Sequence, residues 1–110
     1  MTFEPSIDCH AHLCDPVFDP DREEVLDRAR AVGVEAIVAV GETLEDARRN
    51  LRLAERHPGV LPAAGLYPTH LDLDQASELD RWIRKHRIDL VAIGEVGLDH
   101  WKVKEPGGRE

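Results

Sequence analysis

The sequence predicts an α/β fold, a parallel sheet covered by helices and built on the repeat of a TIM (β/α)8 barrel. Three observations predict it. Short apolar runs are followed, repeatedly, by segments with helical period. The runs are apolar on both faces, the pattern of strands buried between covering helices. Their centres fall near Ile7, Ile37, Ala64 and Ile93, at intervals of 30, 27 and 29 residues, a spacing that suits successive βα units. A doubly wound sheet has the same local pattern, so periodicity alone leaves both architectures open.

The elements follow in order. "SIDCHAH" (6–12) reads as the first strand. Asp19 can cap a helix with Pro20 at its first position, where the missing N–H does no harm. Val25, Leu26, Ala29 and Val32 then recur at helical spacing, and Gly33 suits the stop. "VEAIVAV" (34–40) is the second strand. Thr43 can cap the next helix, whose Leu44, Ala47, Leu51 and Ala54 form one stripe ended by "HPG" at 57–59. "VLPAAGLY" (60–67) is the third strand, with Pro62 expected near its beginning. Ala76, Leu79, Trp82 and Ile83 mark a third helix, and "IDLVAIGEVGLD" (88–99) carries the fourth strand.

A full barrel needs eight such units and about 250 residues. The chain has 110 residues. On the barrel reading, residues 1–110 are a single incomplete domain, the N-terminal half with about four βα units, ending shortly after the fourth strand in the polar "KVKEPGGRE".

Composition bounds the function. Apolar residues make up 42% and charged residues 33%, which suits a globular chain. The net charge of −8 argues against passive coating of nucleic acid, though a nucleic acid remains possible as a substrate where cations line the site. No apolar run approaches the roughly 20 residues that span a bilayer. The opening "MTFEPS" lacks the basic-then-apolar order of a secretory signal. Cys9 and Cys14 are too few for a disulfide framework and fit a reducing compartment, with the cytoplasm as the expected location.

The chemistry concentrates at two strand ends. Alternation along the first strand sends Asp8, His10 and His12 to one face and Cys9 and Ala11 to the other. In a parallel barrel the C-terminal ends of the strands are where active sites are built. Two imidazoles at the strand repeat can bind one divalent ion together, although His-x-His alone is a weak signal. "AIGEVGLD" (92–99) strengthens it: Glu95 ends an apolar strand between Gly94 and Gly97. A carboxylate at the mouth of a buried strand needs a partner, a metal or a basic side chain, and the glycines allow close approach. Cys14 has no second cysteine beside it and reads as a loop thiol. His57 and His86 read as solvated histidines near helix ends, and Asp99 as a turn residue. Asp8 reads as orienting a neighbouring histidine or tying down the strand mouth. Arg48, Arg49, Arg52 and Arg56 are helical and interspersed with acids, and read as a solvated outer face.

Together these stretches resemble the N-terminal part of the TatD-family metal-dependent hydrolases, deoxyribonucleases within the amidohydrolase-like barrel group. The matching pieces are "DCHAHL" (8–13), "GV" (33–34), "GLYPTH" (65–70) and "IGEVGLDHW" (93–101), in the family's order and spacing. The resemblance implies that His10 and His12 bind a first metal and that Glu95 is the catalytic-site carboxylate shared by two. The family's remaining ligands lie on later strands, beyond this sequence. The commoner family form has histidine where Tyr67 stands; Tyr67 and His70 are candidates to line the pocket, with His70 read as a loop residue. The resemblance implies two divalent ions, whether zinc, manganese or magnesium, activating water against a phosphodiester, most plausibly in DNA. For this chain alone, the two unpaired edges of a four-strand barrel sheet predict an inactive half that self-associates or pairs with a missing C-terminal half. Two other readings stand beside it: a related amidohydrolase-type enzyme acting on C–N or C–O bonds, and a non-catalytic fragment binding a metal or a partner.

Overall fold

The computed structural model describes residues 4–68 and 72–97. His70, Asp99 and the "KVKEPGGRE" tail lie outside the described residues. Four strands, β1 (Ser6–Ala11), β2 (Val34–Ala39), β3 (Val60–Ala64) and β4 (Ala92–Ile93), pair in chain order and all in parallel. They alternate with α1 (Arg22–Ala31), α2 (Leu44–Arg56) and α3 (Leu73–His86). The core shows where the helices sit. Leu26 and Ala29 of α1 meet Leu53 and Ala54 of α2 over Ile37, Ala39 and Val60. Leu44 and Ala47 of α2 meet Leu79, Trp82 and Ile83 of α3 over Ala64. Because α2 belongs to both clusters, the three helices line one side of the sheet. A doubly wound sheet carries helices on both sides and reverses its strand order, so the arrangement is that of half a (β/α)8 barrel.

The second and third helices begin where cap chemistry places them. Thr43 accepts a hydrogen bond from the Asp46 amide at 3.2 Å, and Asp72 accepts one from the Gln75 amide at 3.0 Å, each satisfying a donor that the first turn leaves open. Gly33 ends the α1 region with φ 94°, in the left-handed range that glycine enters at little cost.

The start of α1 differs from the sequence expectation. Asp19 and Pro20 do not open it; the helix begins at Arg22, with Asp21 before it making no side-chain cap. The cap-and-proline pair is used one turn earlier instead: Asp15 accepts from the Val17 amide at 2.9 Å and Pro16 opens a short 3-10 turn, Pro16–Phe18. Asp19 is left to pair with Arg22 at 2.8 Å.

The fourth strand is also shorter than expected, and Pro62 explains it. Pro62 sits in the middle of β3, opposite Ala39, rather than near its beginning. Its carbonyl accepts from the Val91 amide at 2.9 Å. A strand residue's N–H and C=O point to the same side, so the donor that proline lacks is one that would face β4. Pairing resumes with Ala63–Ala92 and Ala64–Ile93 and is closed by the Gly94 amide on the Ala64 carbonyl at 2.9 Å. At β4, Val91 and Ile93 are half exposed, whereas Val40 on β2's C-terminal side is buried. The approach of Gly94 covers it: a Cβ on that glycine would lie 3.1 Å from Val40 Cγ1.

Candidate metal centre

β1 does not run as a plain alternation. Its pairing with β2 passes from Asp8–Ile37 to Ala11–Ala39, so one extra β1 residue is accommodated around Cys9 and His10. Such an irregularity re-aims side chains at a strand end. Asp8 stabilises it by accepting the His10 amide at 3.0 Å. Of the two roles read for Asp8, its carboxylate thus takes the one of tying down the backbone.

Across the sheet, β4 delivers Glu95. Its φ of 57° lies in the left-handed region, at a cost of about 1–2 kcal/mol for a residue with a side chain. Next to it the β3 and β4 ends meet. A Cβ on Gly65 would fall 1.4 Å from the Gly94 carbonyl oxygen, so the two backbones touch where no side chain fits. Turned this way, Glu95 Oε1 stands 2.7 Å from His10 Nε2 and 3.1 Å from His12 Nε2. The imidazole rings meet edge to face, with centroids 5.2 Å apart. The Glu95 side chain is only 13% exposed, against 57% for His10.

One donor atom from each of His10, His12 and Glu95 lies within 4.8 Å of the others. Two imidazole nitrogens and a carboxylate oxygen are the donor set that zinc and similar divalent ions accept, and three protein ligands leave a coordination position open. The residues therefore fit a metal. They sit at the C-terminal ends of β1 and β4, the end of a parallel barrel that carries chemistry. The three residues singled out in the sequence are the ones brought together. The Tyr67 amide donates to the Glu42 carbonyl at 2.9 Å.

A cavity of about 390 Å³ opens beside His12, lined also by Cys14, Asp15, Pro16, Glu42 and Asp46. Asp46 was not anticipated as a site residue. It organises this wall: its Oδ2 accepts the Glu42 amide at 2.9 Å, and a Cβ on Gly41 would strike it at 2.4 Å. Burial first, then the Asp46 carboxylate, push the Cys14 thiol up to about 12. A thiol held protonated is neither a nucleophile nor a ready ligand. At pH 8, iodoacetamide is expected to modify the exposed Cys9 and leave Cys14 intact, read as a single addition by mass spectrometry. Two additions at comparable rates would show that Cys14 is not held in this environment.

Known proteins resemble this arrangement. The family model described as TatD related DNase matches residues 7–109. A putative deoxyribonuclease TATDN3 of Mus musculus is 42% identical over 106 residues, covering 84% of this chain and 35% of the relative. Deoxyribonuclease TATDN3 of Homo sapiens is 40% identical over 106 residues, covering 84% of this chain and 38% of the relative. Among solved structures, YJJV, a TatD homolog from Escherichia coli K12, superimposes with a TM-score of 0.79 at 32% identity, covering 93% of this chain and 40% of that one. The chain thus spans well under half the length of the proteins it matches.

Proposed function

The chain belongs to the TatD-related DNase family, and from that premise we propose that it is the N-terminal part of a divalent-metal-dependent hydrolase that cleaves phosphodiester bonds in DNA. The observation that carries the reading is the convergence of His10, His12 and Glu95 at the strand ends, in a chain related to deoxyribonucleases. His10 and His12 act as ligands, and Glu95 acts as both ligand and catalytic-site carboxylate. A divalent ion bound there supplies Lewis acidity toward the phosphodiester and its attacking water. The chain's own residues position that chemistry. Asp8 fixes the His10 backbone, and the Gly65–Gly94 contact aims Glu95.

Residues 1–110 are read as one incomplete barrel domain that is inactive alone. Both outer strands, β1 and β4, have an open edge among the described residues, and Ile7, Val91, Ile93 and Val96 are exposed. Open edges and bare apolar side chains favour self-association or pairing with later barrel strands. Among the described residues no helix is long and apolar enough to cross a membrane. A cytoplasmic setting belongs to the same reading, supported by two free cysteines.

The test is restoration. The chain alone is expected to bind zinc or manganese at one weak site and to cleave no DNA. Joining residues 1–97 to the remaining C-terminal part of the mouse relative is expected to give metal-dependent cleavage that Glu95→Ala abolishes. A folded monomer of this chain that cleaves DNA at a full rate, or a chimera indifferent to Glu95, overturns the reading.

A further inference from the structure

Arg48, Arg49 and Arg52 are exposed or half-exposed and pair with Glu45 along α2, as on a solvated face, and three of the helix's arginines also line one cavity. Arg49, Arg52 and Arg56 line a cavity of about 200 Å³ together with Arg22 from the start of α1, and with Cys14, Asp19 and Leu53. Arg22 is fixed in place. Its Nε donates to the Leu13 carbonyl at 2.7 Å, and its Nη2 to the Asp15 carbonyl at 3.0 Å and to Asp19 Oδ1 at 2.8 Å. Asp19 is the cavity's own carboxylate. On α2, Arg49 and Arg52 share Glu45 at 3.5 Å each, with Arg48 on the same carboxylate at 3.9 Å. One carboxylate therefore serves three guanidiniums at long range. The cavity concentrates positive charge in a chain whose net charge is −8.

We infer that the Arg22–Arg49–Arg52–Arg56 cavity is a binding site for a single phosphate group. Guanidiniums approaching from two helices suit the several oxygens of a tetrahedral anion better than the two of a carboxylate. The volume holds several waters, and so a phosphate group. The surroundings limit the occupant to one compact anion. Past Arg22 and Arg56 the adjoining cavity carries Asp21, Glu23 and Glu24. Past Cys14 the wall turns to Asp15, Glu42 and Asp46, next to His12. A polyanionic strand lying across either flank would meet carboxylates. Sharing the Cys14 wall with the metal-side cavity places the phosphate site beside the candidate centre. The source of the phosphate, the end of a nucleic-acid strand or free inorganic phosphate, rests on the nuclease reading; the site itself does not.

Calorimetry on the whole chain in a metal chelator tests it. Inorganic phosphate is expected to bind saturably. Arg49→Gln with Arg52→Gln is expected to weaken binding by about tenfold or more. Arg49→Lys with Arg52→Lys keeps the charge and loses the planar fork, and is expected to weaken binding by a smaller factor, while His10→Ala with His12→Ala leaves it unchanged. Circular dichroism confirms that each pair keeps its helices. If the glutamine pair misfolds, the lysine pair carries the test, and affinity unchanged in the folded lysine pair overturns the site. Oligonucleotides with and without a 5′-phosphate then identify the source: preference for the phosphorylated strand assigns a strand end, and binding of inorganic phosphate alone assigns the free anion. No saturable binding of any of these, undiminished binding in a folded glutamine pair, or loss in the histidine pair overturns the site. Failure of the metal centre leaves these chelated measurements unchanged.

Discussion

Glu95→Gln is expected to lower the affinity for zinc or manganese by more than about 100-fold, because it removes the charged member of the proposed three-ligand set. The substitution preserves shape and leaves the backbone free to keep its φ of 57°. What it removes is the oxygen charge that faces both imidazoles at 2.7 and 3.1 Å. Calorimetric titration reads the effect directly, and His10→Ala with His12→Ala serves as the matching loss from the other strand. An isotherm for Glu95→Gln that overlays the unmodified chain would place the ion elsewhere and remove the basis of the proposed chemistry.

The second large effect is expected at a residue that has no side chain, Gly65, whose added Cβ would also lie 3.5 Å from Glu95 Cβ. Gly65→Ala puts a methyl group 1.4 Å from the Gly94 carbonyl oxygen and 2.6 Å from its carbon. Neither is a flexible side chain that can swing aside, so β3 and β4 must separate. Overpacking of this kind costs about 3 kcal/mol, a large share of the roughly 5–15 kcal/mol by which domains are stable. Urea unfolding should show the loss, and metal affinity should fall with it because Glu95 follows Gly94 in the chain. Gly59→Ala, whose Cβ would meet the Glu35 carbonyl at 3.0 Å, is the milder control. Equal stability for the two variants would mean that the strand ends yield more easily than their contact implies.

Much of this site was legible in the sequence because its residues lie at the ends of periodic elements. Thr43 and Gly33 announced helix boundaries through local chemistry, and both act where the pattern put them. His10, His12 and Glu95 were legible because a parallel sheet aligns all of its C-terminal ends. The start of α1 was misplaced because Asp15–Pro16 and Asp19–Pro20 offer the same signal, and sequence alone does not rank them. The length of β4 depended on a donor missing from another strand, so no window around residues 88–99 contains that information. The same holds for Arg22 beside Arg49, Arg52 and Arg56, a convergence of two helices. Asn50 carries no sequence signal of its own, yet it falls on the buried side of α2, three residues past Ala47; it is fully buried, with both side-chain polar atoms unpaired among the described residues.

The left-handed backbone at Glu95 sets stability against chemistry at a single position. Glycine adopts a φ of 57° freely, so Glu95→Gly would relieve the main chain while deleting the carboxylate. Selection or engineering for thermal resistance alone would therefore favour the change that disarms the site. Stabilising designs on this scaffold should hold residue 95 fixed.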